Sequence, residues 1–196
     1  MSAAAPPNAF TRAQIGWAPS LPPLPYDALT ERHRTALIDA ARAKSDYFRL
    51  LARDPDALYH RTLTDKDIFY NLDGGASRAD RELAATAASR FNGCIFCASV
   101  HARFAATYSK REAEIDRLLE EGAGAELGER WNAIAAAAVA LSATPSRFGP
   151  EHVRQLRGSG LDDLAIADII QGAAFFNWAN RLMLALGEPL PPPPAA

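Results

Sequence analysis

Three observations predict an all-α fold: apolar residues recur at spacings of three and four through most of the chain, β-branched alternation is absent, and alanine is abundant. No strand is expected. The 196 residues, 48% hydrophobic and 22% charged, suffice for one substantial core and fit one domain better than two. Eleven of the fourteen prolines lie at the ends, six up to Pro25 and five from Pro189 onward, where they preclude regular helix. The expected organisation is a Pro-rich arm over residues 1–25, a multi-helical domain over 26–187 and a Pro-rich tail over 188–196. Pro191 to Pro194 reads as solvated polyproline. Disordered ends and arms that wrap a neighbouring subunit both fit this composition.

Within the domain, Leu29 to Leu51 reads as one helix stopped before Asp54-Pro55. Pro55 opens the next at its first turn, running to about Tyr70, and Asn71 to Gly75 is a loop. Ser77 and Asp80 have capping-box spacing, although Asp is a poorer partner there than Glu, and start a helix that ends at Asn92-Gly93. A further helix is predicted from Cys94 to Tyr108. Ser109 with Glu112 forms a second capping box, opening a short helix to Glu121 that Gly122 and Gly124 end. Leu127 to Leu141 is an Ala-rich helix containing Trp131, Thr144 to Pro150 is a break, and helices resume over His152 to Arg157 and Asp162 to Leu186. No repeat of fixed period is evident, so the arrangement is a bundle and not a solenoid.

The formal net charge is −2, with basic and acidic residues interspersed, so neither nucleic acid nor an anionic membrane is an expected partner. A small neutral or lightly charged substrate fits better. The start Met1-Ser2-Ala3-Ala4-Ala5-Pro6-Pro7 has neither the basic residues nor the apolar run of a secretory signal, and the expected location is the cytoplasm. The run Ala133 to Leu141 is too short to cross a membrane, and Ile169 to Leu186 carries Asn177, Asn180 and Arg181. In a reducing compartment, a C-x-x-C pair is more often catalytic or metal-binding than a structural staple.

The informative residues are Glu82, Cys94, Cys97 and His101, which fall within a redox core over 77–108. A helix starting at Cys94 would favour a thiolate through its free N–H groups and macrodipole, and the spacing lets both sulfurs close a disulfide. His101, four residues after Cys97, shares its helix face and is the candidate base. Glu82 lies ten residues before the Asn92-Gly93 turn and His101 eight after it, so antiparallel helices would bring them within about one turn. Other readings stand beside this one. The cysteines could be inert core residues, His101 a satisfied histidine, and Glu82 part of a solvated face with Arg78 and Arg81. Cys94, Cys97 and His101 also have zinc-ligand chemistry, with His60 as the one available fourth ligand.

At these residues the chain resembles the alkylhydroperoxidase D (AhpD) branch of the carboxymuconolactone decarboxylase superfamily, whose signature is Glu, then Cys-x-x-Cys, then His four residues on. Arg81-Glu82-Leu83-Ala84, Ser89-Arg90-Phe91-Asn92-Gly93-Cys94-Ile95-Phe96-Cys97 and His101 look like its peroxidase-related members in particular. Similarity extends less sharply through Leu63 to Gly75 and to Phe176-Asn177-Trp178-Ala179-Asn180-Arg181. The resemblance implies an AhpD-like all-helical fold that forms a homo-oligomer, whether dimer, trimer or hexamer. It implies a cysteine-based peroxidase in which Cys97 attacks the hydroperoxide, Cys94 condenses with the resulting sulfenic acid, and Glu82 and His101 relay protons. The partners so implied are a small hydroperoxide and an external dithiol or lipoylated protein as reductant. No cofactor or metal is expected. One departure is Phe96, where the best-known member has a histidine, so one route for proton transfer is gone. A general thiol–disulfide oxidoreductase and a non-catalytic redox or zinc sensor are the alternative functions.

Overall fold

The computed structural model describes residues 9–192. Its helices are α1 (Glu31–Leu37), α2 (Asp46–Leu51), α3 (Pro55–Tyr70), α4 (Arg78–Phe91), α5 (Ile95–Ser109), α6 (Glu112–Glu121), α7 (Glu129–Ser142), α8 (Pro150–Gly158) and α9 (Asp163–Leu186). At the centre is α4, whose segment Leu83-Ala84-Ala85-Thr86-Ala87-Ala88-Ser89 is buried throughout. Small side chains on every face let neighbouring backbones approach closely, and α5, α7 and α9 pack around it. Ile115, Leu118, Ile134, Leu156 and Ile169 complete the core. Each contributes about 1.5–3 kcal/mol by leaving water.

Helix ends follow the local chemistry of the sequence. Asp54 caps α3 by accepting from Ala57 N–H, with Pro55 in the first turn. Ser77 Oγ accepts from Asp80 N–H at 3.2 Å, but Asp80 does not return the bond. Its carboxylate instead receives Arg130 at 2.8 Å and the Trp131 indole at 3.1 Å. Between α3 and α4, Arg81 donates to the carbonyls of Ile68, Asn71 and Ala76, and Asp168 of α9 receives the Ala76 N–H. Those bonds fix the end of α3 relative to α4 and α9. Gly75 is required here, because a Cβ would sit 2.3 Å from the backbone nitrogen of Ala165.

Three expectations are corrected. The stretch from Leu29 to Leu51 is not one helix: Ile38, at φ +63°, ends α1, and a 3-10 turn over Ala40–Lys44 precedes α2. Ser109 does not cap α6 but ends α5, where its hydroxyl donates to the Ala105 carbonyl; Lys110 takes a left-handed conformation, and Arg111 precedes the new helix. Strands also exist. Gly16–Pro19 (β1) pairs antiparallel with Gly187–Leu190 (β2), Trp17 opposite Pro189. The two ends of the chain therefore bond to each other, with Pro19 and Pro189 tolerated because each strand has a free edge. The stretches 1–8 and 193–196, with half of the expected Pro191 to Pro194 polyproline stretch, lie outside the described residues.

Candidate active site

The α4–α5 turn sets the geometry. Gly93 adopts φ +81°, Cys94 N–H bonds to the Ser89 carbonyl at 3.0 Å, and Gly93 N–H bonds to that of Arg90 at 3.3 Å, a Schellman pattern. The Asn92 side chain donates to Asn177 and Asn180 of α9, 3.0 Å each, locking the turn against that helix. The chain then enters α5 with Cys94 at the N-cap and Cys97 in the first turn. Both cysteines are buried free thiols.

The sulfurs lie within hydrogen-bonding reach of each other, and their environments differ. Cys94 is held below the ordinary thiol range, chiefly by the Cys97 thiol, with the Cys97 and Phe96 N–H groups and the Asn180 amide adding to the effect and burial opposing it. Cys97 is pushed well above that range, first by its hydrogen bond to Cys94 and then by burial. The first negative charge therefore belongs on Cys94, where the helix N-terminus receives it. Asn180, fully buried, also donates to Ser89 Oγ at 3.0 Å, which orients it toward the sulfurs.

One helical turn beyond Cys97, His101 Nδ1 meets Glu82 Oε2 at 2.6 Å across the α4–α5 interface. Glu82 is 1% exposed, and Arg78 Nε donates to its other oxygen at 2.6 Å. The solvated-face reading of Glu82 is thereby overturned, and Arg81, turned to the loop carbonyls, takes no part. With Nδ1–H committed to the carboxylate, Nε2 is left to accept a proton. Phe176 lies edge-on to the imidazole, centroids 3.9 Å apart, and Phe69 lies 5.3 Å away. Arg78 is itself caged by aromatic rings, Tyr70 at 4.2 Å and Tyr108 at 5.1 Å.

Cys97, His101, Glu82 and Arg78 line one cavity of about 350 Å³, walled largely by Tyr47, Phe69, Phe96, Phe104 and Phe176. Burial pushes the Tyr47 hydroxyl up to about 12, so it stays neutral. Cys94 opens on a separate cavity of about 260 Å³ beneath the terminal ribbon, with Trp17 and Met183. Phe96 borders both. Of the four residues singled out from the sequence, Glu82, Cys97 and His101 thus line one cavity, while Cys94 opens on the other. His60 does not join them but lies exposed on α3 beside Tyr59, and no three His, Cys, Asp or Glu side chains among the described residues are grouped to hold a metal. Sequence reasoning left Arg78 and Asn180 without a role. Arg78 had a signal, the i, i+4 spacing to Glu82; Asn180 had none, because its contacts depend on how α9 crosses α4.

Residues 55–141 match the model of the Carboxymuconolactone decarboxylase family. That match covers less than half of the chain. The fold is AhpD-like. A peroxidase-related protein from Ralstonia eutropha, described as an alkylhydroperoxidase AhpD core, superposes with a TM-score of 0.72 at 22% identity, covering 91% of this chain and 92% of that one. A peroxidase-related protein from Silicibacter sp. gives 0.70 at 23%, covering 85% and 91%. The debrominase Bmp8 gives 0.68 at 18%, covering 85% and 89%; a cysteine-to-alanine variant of that debrominase is known in complex with 2,3,4-tribromopyrrole. No curated protein sequence matches the chain significantly. No described helix is long and apolar enough to cross a membrane.

Proposed function

We propose that this protein is a cysteine-based peroxidase that reduces organic hydroperoxides at the expense of an external dithiol, with Cys97 as the attacking sulfur and Cys94 as the resolving one. The observation that carries the reading is that Cys97 and the His101–Glu82–Arg78 chain open on the same apolar cavity, whereas Cys94 does not. His101 Nε2 takes the Cys97 proton, directly or through the substrate's own oxygen. The thiolate attacks the distal peroxide oxygen, the O–O bond breaks, and the departing alkoxide takes the proton back from His101, giving Cys97 sulfenic acid and an alcohol. The Cys94 thiolate then attacks the Cys97 sulfur and expels hydroxide, which takes up a proton to leave as water. A dithiol donor, a lipoylated protein being one such, returns both cysteines to thiols by exchange. The unequal sulfurs suit this division: the one held low in pKa is ready to resolve, and the one held high waits for the base.

The test separates the two sulfurs. Cys97→Ser should abolish consumption of cumene hydroperoxide. Cys94→Ser should consume one equivalent and stop, leaving a sulfenic acid that dimedone traps at Cys97. Full turnover by Cys97→Ser contradicts the assignment. Rapid exchange with small disulfides and no reaction with peroxide would favour a general thiol–disulfide oxidoreductase.

The aromatic cavity supports a second reading with the same dithiol. Two thiols and a carbon–bromine bond can yield a carbon–hydrogen bond, bromide, a proton and the disulfide, the outcome named by the debrominase of like fold. Bromide release from a brominated pyrrole, faster than hydroperoxide consumption, would favour it.

A further inference from the structure

Arg61 is a buried guanidinium that the redox chemistry does not use. It stands on α3 with its side chain 8% exposed, and it lines the cavity that contains Cys97. Asp65 Oδ2, one turn along, is 3.3 Å from Nη1, but the two are not aligned as a hydrogen bond. Neither Nε nor Nη1 has a hydrogen-bond partner among the described residues. The flat faces of the group rest near Phe48, at 5.7 Å, and Phe175, at 5.3 Å, so it is held by rings while its donors go unmet. Unmade hydrogen bonds on a buried charged donor cost more than those on a neutral one, and such a site recovers that cost when an acceptor arrives.

A second arginine points the same way. Arg42 lies 5.0 Å from the Phe48 ring and lines the same cavity. Arg78 is paired with Glu82, whereas Arg42, whose Nη1 donates to the Leu37 carbonyl at 3.3 Å, and Arg61 line the Phe48 end of the cavity, where Asp65 is the one carboxylate. The walls between that end and His101 are aromatic. Arg61 and Cys97 line one cavity of about 350 Å³, so a single small molecule can reach both.

We propose that the cavity takes a hydroperoxide whose apolar body carries a carboxylate, received by Arg61 with Arg42 while the O–O group meets Cys97. This assignment rests on the peroxidase reading and names the substrate class for it. Arginine suits the task because its fork of N–H groups matches both carboxylate oxygens.

The experiment compares linoleate hydroperoxide with its methyl ester, below micelle-forming concentrations, with neutral dithiothreitol as donor. The acid should be preferred about ten-fold or more in kcat/KM, the size of one charge-assisted hydrogen bond. Arg61→Gln should lower the acid to the level of the ester, and Arg61→Lys should restore part of the preference. Equal kcat/KM for acid and ester in the unaltered protein overturns the proposal whether or not the variants fold. Binding of the corresponding hydroxy acid and hydroxy ester, followed by calorimetry, does not depend on turnover. Preferential binding of the acid with no turnover of either hydroperoxide would leave the anion subsite standing and remove the peroxidase reading. An anion preference seen only on exchanging dihydrolipoamide for dihydrolipoate would place the carboxylate on the donor, and overturns the assignment to the hydroperoxide.

Discussion

Two sulfurs in hydrogen-bonding reach of one another, both buried, share protons as a pair, so the acidity of each depends on the other. Thiolate absorbance near 240 nm should therefore rise in two steps, one below and one above the ordinary cysteine range, and the lower step should vanish in Cys94→Ser. A single step at the ordinary value would contradict the asymmetry. The sign for reactivity follows from the raised partner: deprotonation of Cys97 grows easier as pH rises, so hydroperoxide consumption should accelerate into the alkaline range until the upper step is complete. At Glu82, the conservative Glu82→Gln leaves Arg78 and His101 without their shared carboxylate. It should cost about 100-fold in kcat/KM, the lower end of what acid–base assistance supplies, while the titratable thiols remain two. Equal rates for this variant and the unaltered protein would remove Glu82 from the relay. The spacing of Glu82, Cys94, Cys97 and His101 made these residues legible in the sequence, because both intervals are set by helix geometry. Asn180 and Arg61 were not, since what gives them meaning is the packing of α9 and α3 around α4 and α5.

Elements with a cap or a glycine at a defined place were readable: α3 from Asp54-Pro55, α4 from Ser77, and its end from Asn92-Gly93. The stretch Leu29 to Leu51 was not, because periodicity carries through a short break that only local backbone geometry at Ile38 produces. The Ser109 box failed for a related reason: a hydroxyl can serve the end of one helix as well as the start of the next. Two glycines allow the cost of strain and of collision to be told apart. Gly93→Ala adds a Cβ that meets nothing within 4 Å, so its cost is that of a left-handed conformation, about 1–2 kcal/mol. Gly75→Ala drives a Cβ into the backbone of α9, and should cost about 3 kcal/mol or more while shifting the end of α3. Urea unfolding should rank Gly75→Ala as the more damaging; the reverse order would contradict the described approach of the loop to Ala165.

At the scale of the molecule, the ends of the chain do what composition does not announce. Proline-rich stretches suggest independent arms, yet β1 and β2 pair with each other and cover the cavity of Cys94 with Trp17, Gly187, Glu188 and Pro189. The pairing joins residues far apart in the sequence, so no local pattern encodes it. Removal of residues 187–196 should lower the melting temperature and speed alkylation of Cys94 more than of Cys97, measured by peptide mass after timed iodoacetamide exposure. Unchanged labelling of Cys94 would mean that the ribbon does not protect it. The helical core, by contrast, was legible from alanine content and period alone, because α4 is buried on every side and needs small residues throughout. What joins core, turn and cavity into one account is the claim that a hydroperoxide oxidises Cys97 and that Cys94 closes on it. The measurement that tests this most directly is a thiol count and intact mass of the reduced protein before and after one equivalent of an organic hydroperoxide. Loss of both thiols, with a mass lower by two hydrogen atoms, is the predicted result; two surviving thiols and an unchanged mass after several minutes would contradict it.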